Sequence, residues 1–453
     1  MKVHFIAIGG SAMHNLAIAL KLKGYDVTGS DDNIFEPSKS RLEKHGLFPV
    51  KLGWNPSRIS SNIDFIILGM HAKIDNPELL ECQKNNLKIY SYPEFIYEFS
   101  KEKTRVVIGG SHGKTSITSI ILHVLNKCGI EVDYLVGAQL SGFETMVHLT
   151  DENEFIVMEG DEYLSSPIDK RPKFHLYKPN IALINGISWD HINVFPSEEI
   201  YTIQFENFVE TIVDGGVLVY NEMDLKVKKI AESCQKSIRK LEYSMPKHTI
   251  ENGKTFLNTE EGRIPIEIFG NHNLNNIGGA KLVCQLMGVH EQNFNESLMS
   301  FKGADKRLEP ILKLSDRIVF KDFAHSPSKV LATTNALKEQ FIDRKLIAVL
   351  ELHTFSSLNK QFVINYKDSL KSADLSILFY DPTIVSQKKL EYLDFDFLKS
   401  SFNDKRLHIF TESNKLEEFL LKQNYAKTNL VIMSSGNFAS INLNHLVKEI
   451  KLL

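Results

Sequence analysis

Apolar and polar positions along the chain alternate between two periods. Short β-favouring runs, "VHFIAIGG", "DVTGSD", "DFIILGM" and "KIYSYP", are separated by stretches such as "AMHNLAIALKLKG", whose apolar positions recur at helical spacing. Strand–helix alternation of this kind predicts a parallel sheet. The pattern restarts at "RVVIGGSHGK", after the charged stretch "SKEKT", and continues through "EFIVMEGDE", "IALINGISWDH" and "GVLVYNEMD". After "FKGADKRLEP" comes a third series: "RIVFKDFAHSP", "KLIAVLEL", "ADLSILFY" and "NLVIMSSGNF". The expected fold class is therefore α/β with three domains, spanning 1–103, 104–304 and 305–453. Each series ends strands on Gly, Asp, Ser or His, at the carboxyl edge where α/β proteins place ligands.

Length agrees with several domains, because 453 residues exceed what one ordinary core holds. Composition narrows the partners. A hydrophobic content of 43% and a charged content of 24% are those of a soluble globular chain. A net charge of −3 argues against nucleic acid as a partner. Cys82, Cys128, Cys234 and Cys284 form no Cys-x-x-Cys pair, which suits a reducing compartment and offers no zinc site. The N-terminal "MKVHFIAIGG" reads as a first strand and not as a signal peptide, and no stretch reaches the length of a membrane span. A cytoplasmic, monomeric protein without a membrane partner is expected.

The run "IGGSHGKTSIT" almost spells a phosphate-binding loop, but Ile108 stands where the longer loop has its first glycine. Its context is nevertheless the required one: strand, then Gly109 to Ser116, then the apolar helix "ITSIILHVLNKCG". Glycines let backbone N–H groups turn towards phosphate oxygens, and the helix N-terminus adds a positive end. Gly110, Ser111, His112, Gly113, Lys114, Thr115 and Ser116 are the candidate phosphate ligands. Lys114 would neutralise phosphate charge, and a Thr115 or Ser116 hydroxyl would reach Mg²⁺.

Acidic groups follow strands in the same segment. Glu159, Asp161 and Glu162 in "VMEGDEY" suit a metal-bound or water-bridged carboxylate in phosphoryl transfer, or else a solvated turn. Asp190 and His191 close "INGISWDH" in a similar position. In "FGNHNLNNIGGA", His272, Asn273 and Asn276 could bond an adenine edge or a phosphate, or simply cap the helix. Arg307 lies at a domain junction, within reach of a γ-phosphate in principle. Asp322 in "KDFAHSP" could grip a ribose or cap the next turn.

The N-terminal "AIGGSAMHNLAIALKLKGYDVTGSD" approximates a dinucleotide fingerprint ending in Asp31. Ala7 replaces its first glycine and Met13 is far from a third-glycine position, so the stretch reads better as a cradle for a nucleotide diphosphate.

In this order the motifs resemble those of the Mur ligase family. That family uses a short Gly-x-x-Gly-Lys-Thr loop, matching Gly110 to Thr115, and "EGDE", "NGISWDH", "GNHNLNN", "KRLE" and "DFAHSP" match further along. The resemblance covers the whole chain. It implies a Rossmann-like UDP-sugar domain over 1–103, with Gly9, Gly10, Ser11, Met13 and Asp31 at the sugar nucleotide. A P-loop ATPase-like domain with a mainly parallel sheet would follow, and a Rossmann-like domain for the amine over 305–453. ATP would contact the loop, His272, Asn273, Asn276, Arg307 and Asp322. Mg²⁺ would lie at Thr115, Glu159 and His191, and the incoming peptide at His325 and His353. Lys114, His191 and Arg307 are the implied catalytic residues.

Within the family, the N-terminal domain resembles the two branches that take UDP-N-acetylmuramate itself. One adds L-alanine in de novo synthesis. The other re-attaches the salvaged tripeptide L-alanyl-γ-D-glutamyl-meso-diaminopimelate in peptidoglycan recycling. "VTGSDDNIFEPSKSRLEKHG", "DEYLSSPIDKRPKFHLYKP", with Asp169 and Lys170, and "VIMSSGNFASI" lean towards the recycling branch. There are departures. Ser188 replaces a glutamate usual in this branch, which shifts the metal shell towards Glu159 and His191. Lys321 replaces an acid and Ser326 a second histidine, and "ELHTFSSLNK" lacks an expected arginine. The helix "SEEIYTIQFENFVETI" has no lysine, so the carbamylated lysine of several other members is not expected.

The resemblance implies amide synthesis through an acyl phosphate. The muramate carboxylate attacks the γ-phosphate, and the amine of the peptide or of alanine then displaces phosphate. Positioning and electrostatics matter more in phosphoryl transfer than a protein nucleophile. Asp190, His191 and His325 are the candidates for proton transfer. Elements for the two substrates and ATP lie in different segments, so domain closure on binding is expected. Competing classes are an NAD-dependent oxidoreductase, which leaves the loop unexplained, and a non-catalytic nucleotide-binding regulator. A folate-type polyglutamate ligase shares the central chemistry but lacks the N-terminal domain.

Overall fold

A computed structural model of the chain describes residues 1–137, 139, 143–189, 194–303 and 307–452. It has two compact units, one of Met1–Ile187, Glu199–Ser244 and Gly278–Phe294, the other of Ser188–Glu198, Met245–Ile277 and Asn295–Leu453. The fold is α/β with several mainly parallel sheets, as the alternation predicts.

The first unit holds two sheets. Strands Asp26–Ser30, Lys2–Ile6, Phe65–Leu68 and Ile89–Ser91 lie side by side in that order, all parallel. The larger sheet runs Arg239–Tyr243, Val217–Asn221, Ile181–Ile184, Thr104–Gly109, Phe155–Glu159, Asp133–Leu135 and Val147–His148. Only the last pair is antiparallel. Its central strands read as unbroken apolar runs, as strands buried on both faces do: every residue of Ile181–Ile184 is buried. Thr104–Gly109 sits between Ile181–Ile184 and Phe155–Glu159, so the loop after it emerges beside the ends of both neighbours.

Local signals set the helix ends. The helix Tyr92–Ser100 starts with a capping box, in which the Ser91 hydroxyl accepts from Glu94 N and the Glu94 carboxylate from Ser91 N. The helix Lys114–Lys127 follows Gly113 in a left-handed conformation (φ 76°), and stops at Gly129 (φ 70°).

In the second unit, strands Glu309–Lys313, Ile318–Asp322, Thr428–Met433, Lys345–Leu352, Leu375–Tyr380 and His408–Phe410 form a six-stranded sheet, parallel except for the first pair. Alternate residues serve two cores, as a period of two requires. Ile318, Phe320, Ala348, Leu350, Val431 and Met433 face one core, and Val319, Ile347, Val349, Leu430 and Ile432 the other. A three-stranded antiparallel meander, His248–Glu251, Lys254–Thr259 and Gly262–Ile266, belongs to the same unit. No strand was expected there.

Candidate functional site

The glycine-rich loop is folded and tethered. Gly110 has a φ of 133°, and a Cβ there would lie 3.2 Å from Asn185 N and 3.3 Å from Gly186 N, so the loop needs glycine for close approach. Ser111 N donates to Gly186 O at 2.9 Å, and the hydroxyls of Ser111 and Tyr201 are 2.8 Å apart. His112 bonds its own turn through Nδ1 and Ser111 O at 2.6 Å. The Asn185 side chain donates to His112 O (3.0 Å) and accepts from Tyr243 OH (2.6 Å), while Asn185 O accepts from the Asn221 side chain (2.8 Å). One asparagine thus ties the loop to two further strand ends.

Lys114 opens the helix, and its ammonium donates to Gly110 O at 2.6 Å and to Glu162 Oε2 at 2.5 Å. Burial works hardest against its charge, but Glu162, Asp161 and Glu159 together hold its pKa above the usual lysine value. Tyr201 OH donates to Glu162 Oε1 at 3.1 Å. Thr115 Oγ1 donates to Glu159 Oε2 at 3.1 Å, and a Cβ at Gly137 would come within 3.0 Å of that oxygen. The Thr115 hydroxyl and the buried Glu159 carboxylate are hard oxygen donors side by side, and they fit Mg²⁺. Ser116 is buried one residue further into the helix. Asp161 turns instead to Lys173 Nζ at 2.5 Å. Asp190 and His191 lie outside the described residues.

At the N-terminal edge, Asp31 is fully buried and accepts from Gly9 N at 2.7 Å. A Cβ on Gly9 would meet Asp31 Oδ2 at 2.9 Å, which explains the glycine. Ala7, at the missing first-glycine position, still adopts a left-handed φ of 71°. Gly10 precedes the helix Ser11–Leu22, within which Ser11 is exposed and Met13 buried. His71 Nε2 lies 2.9 Å from Asp31 Oδ1. That bond is the main influence raising the pKa of His71. Burial, the largest influence on Asp31, would raise its pKa, but His71 and the Gly9 amide lower it overall. Among the described residues, Asp31, Asp32 and His71 also bring three possible metal ligands within 4.8 Å of one another, although Asp31 is already engaged by Gly9 and His71.

The remaining candidates lie in the second unit. Burial, then the charge of Arg307, pushes the pKa of His272 down to about 4, so its imidazole is neutral near pH 7. Asn273 donates to Phe269 O at 3.0 Å, and Asn276 is buried in the same helix, Asn271–Leu286. The Arg307 guanidinium stands 5.1 Å from the Phe323 ring centre. Asp322 accepts from Leu308 N and Ala324 N, each at 2.6 Å, so both its oxygens organise backbone. Burial, its largest influence, raises its pKa against the pull of Arg307. His325 Nδ1 approaches Phe323 O at 2.8 Å, and Tyr366 OH donates to His325 O. His353 lies 3.8 Å from the buried Glu351, whose carboxylate accepts from the Ser434 hydroxyl and from Phe438 N (3.0 Å). The roles of Asn185, Tyr201, Tyr243, Lys173 and Glu351 had no signature in the sequence.

Two family models match the chain: "Mur ligase family, catalytic domain" over residues 2–104 and "Mur ligase middle domain" over 108–284. The UDP-N-acetylmuramate–L-alanine ligase of Caldicellulosiruptor bescii is 31% identical over 393 residues, covering 83% of each chain. The UDP-N-acetylmuramate–L-alanyl-γ-D-glutamyl-meso-2,6-diaminoheptandioate ligase of Escherichia coli is 29% identical over 361 residues, 78% of this chain and 79% of that one. In fold, the chain is similar to a UDP-N-acetylmuramate-alanine ligase of Thermotoga maritima (TM-score 0.72, 19% identity, 100% and 99% covered). It is also similar to a murein peptide ligase of Psychrobacter arcticus (TM-score 0.66, 21% identity, 100% and 99% covered).

Proposed function

The chain belongs to the Mur ligase family, ATP-dependent amide-forming ligases of peptidoglycan synthesis, and from that premise we propose that it joins L-alanyl-γ-D-glutamyl-meso-diaminopimelate to UDP-N-acetylmuramate in peptidoglycan recycling. Residues 1–103 hold the UDP-sugar, 104–304 the ATP and 305–453 the incoming amine.

The observation that carries the chemistry is the half-buried ammonium of Lys114, fixed inside a glycine-rich loop by Glu162 and Gly110 O. A pre-oriented cation stabilises the charge on a γ-phosphoryl group passing to the muramate carboxylate, without reorganising at the moment of reaction. Thr115 and Glu159 would hold Mg²⁺, which when bound supplies further neutralisation of phosphate charge. Gly9, Gly10 and Ser11 bind and orient the UDP diphosphate, with Asp31 positioning Gly9. Arg307, His272 and Asn276 serve the nucleotide, and Asp322 fixes the backbone at Leu308, next to Arg307.

The choice of tripeptide rests on "DEYLSSPIDKRPKF", whose sequence resembles the recycling branch. This stretch folds back on itself beside the loop. Ser166 N donates to Asp169 O, Ser165 N to Arg171 O, and Lys173 N to Tyr163 O, and Lys173 reaches Asp161. The second reading, L-alanine addition, is favoured by the relative at 31% identity. Phosphate release from Mg-ATP and UDP-N-acetylmuramate, with tripeptide in one tube and L-alanine in another, separates them. Release with tripeptide only is expected. Release with alanine alone would move the chain to the other branch, and silence in both would overturn ligation.

A further inference from the structure

The helix Ser11–Leu22 carries the run "AMHNLAIAL", and its two polar members, His14 and Asn15, are only 2% and 3% exposed. Adjacent polar side chains buried in an apolar helix are costly unless their hydrogen-bonding atoms are matched. Here they are matched. His14 Nδ1 donates to Gly10 O at 2.9 Å and lies 3.0 Å from Ser38 Oγ. Burial, the largest influence, holds the pKa of His14 below its ordinary 6.5, so the ring is neutral near pH 7 and its Nε2 is an acceptor. That nitrogen accepts from Asn15 Nδ2 at 3.1 Å, and the same amide also donates to Ser11 O at 2.8 Å. Asn15 Oδ1 accepts in turn from Met146 N at 3.1 Å and from the Arg41 guanidinium at 3.4 Å. Both hydrogens and both lone pairs of one amide are in use, and an aspartate there would offer no hydrogen to Ser11 or His14.

The connection continues past Met146. Its carbonyl accepts from Val136 N at 2.9 Å, and Val136 is followed by Gly137, where a Cβ would lie 3.0 Å from Glu159 Oε2. Thr115 donates to that same carboxylate oxygen. The glycine turn at Gly9 and Gly10 is thus joined to the Thr115–Glu159 pair by an unbroken series of contacts inside the first unit. Two further pairs run alongside: Arg41 donates to Gln139, and Lys44 to Glu144 at 2.6 Å. Lys44 and Glu144 are each 65% exposed, so that pair holds little. The alignment depends on the buried amide of Asn15.

We propose that Asn15, oriented by His14, is a positioning residue for the ligase reaction. It registers the backbone beside Glu159 against the turn that takes the sugar nucleotide, so that the two sites bind their ligands cooperatively. The inference rests on the ligase reading and adds to it the residues through which one site senses the other. Asn15 acts through Gly10 and Met146 and is not a catalytic residue. The link is reciprocal: UDP-N-acetylmuramate tightens Mg-ATP by the factor by which Mg-ATP tightens UDP-N-acetylmuramate.

The test is calorimetric titration of the full chain with Mg²⁺ and β,γ-methylene-ATP, in the presence and absence of saturating UDP-N-acetylmuramate. The wild type is expected to bind the nucleotide about fivefold or more tightly when the sugar nucleotide is present. In Asn15→Ala the ratio should fall to within about twofold of unity. Arg41→Met, which leaves the buried amide and its other three partners in place, should lower the ratio and keeps the test open if Asn15→Ala does not fold. Hydrogen exchange without ligand gives an independent reading: the Met146 amide should exchange roughly tenfold faster in Asn15→Ala than in wild type. Additive binding by the wild type, an undiminished ratio in the variants that fold, or unchanged Met146 exchange would each overturn the proposal. The two readings fail separately. A ratio present in the wild type and lost in the variants, without phosphate release on adding either amine, sinks the ligase reading alone. Normal phosphate release with additive binding sinks the role of Asn15 alone.

Discussion

Lys114 Nζ and Glu162 Oε2 stand 2.5 Å apart, with the carboxylate side chain only 2% exposed. A buried pair of this kind is stable only while both members are present. The lysine is therefore part of the fold as well as the proposed phosphate ligand. Lys114→Met should cut phosphate release by roughly 10²–10³-fold, the scale of losing one pre-oriented stabiliser of transition-state charge. It should also destabilise the chain by about 3–5 kcal/mol, because the buried Glu162 carboxylate loses the ammonium that faces it. Adding Glu162→Gln should recover most of the stability and none of the activity. Urea unfolding and phosphate-release assays on the three variants check both halves.

Tyr201 touches both ends of the same arrangement, through Ser111 and Glu162. Tyr201→Phe keeps the ring packed and removes two hydrogen bonds, for a loss of about 1–3 kcal/mol. The expected kinetic mark is a raised KM for ATP with the KM for peptide unchanged, read from initial rates. Unaltered ATP kinetics would remove Tyr201 from the site.

The pair Asp31–His71 predicts a pH window. The folded pKa of His71 lies above its ordinary 6.5, so its contribution is present below that value and disappears as pH rises through the folded one. The folded pKa of Asp31 lies below its ordinary 3.8, so its contribution is present above that value and disappears as pH falls through the folded one. The pair should therefore stabilise most between these limits. The His71 side chain is 46% exposed, which screens the interaction to about 1 kcal/mol or less. Thermal melts of wild type and His71→Gln from pH 5 to 9 should converge towards the alkaline end. Parallel curves would refute the coupling.

Gly436 lies where a Cβ would come within 2.7 Å of the His353 ring and 2.8 Å of Glu351 Oε2. Since Glu351 is buried and already holds Ser434 and Phe438, the loop must move. Gly436→Ala should cost about 1–3 kcal/mol, as overpacked positions do, and denaturant midpoints measure it. Wild-type stability would mean that the loop yields freely.

The parallel strands, the glycine-rich loop and the acidic strand ends were legible because each follows from local pattern: apolar runs, turn chemistry and the residues after a strand. The meander at 248–266 was missed, although Asn252-Gly253 at its first turn is a hairpin signal, with φ of 51° and 73°. Its strands carry too few apolar residues to stand out: His248–Glu251 and Gly262–Ile266 are largely exposed or half-exposed. Ala7 shows the opposite error. Its identity argued against the first-glycine turn, yet the backbone takes that turn anyway. Tyr201 and Asn185 were not legible, because their roles depend on which strands become neighbours, and nothing local announces that.

Asn185 links the loop at His112 to Asn221 and Tyr243. Residues more than 100 positions downstream in the chain therefore share one joint with the glycine-rich turn. Tolerance to substitution should follow this joint and not distance from the opening of the loop. In a library of random variants, inactive clones should cluster at Asn221 and Tyr243 as densely as among the glycines themselves, and second-site revertants of one should be sought at the other.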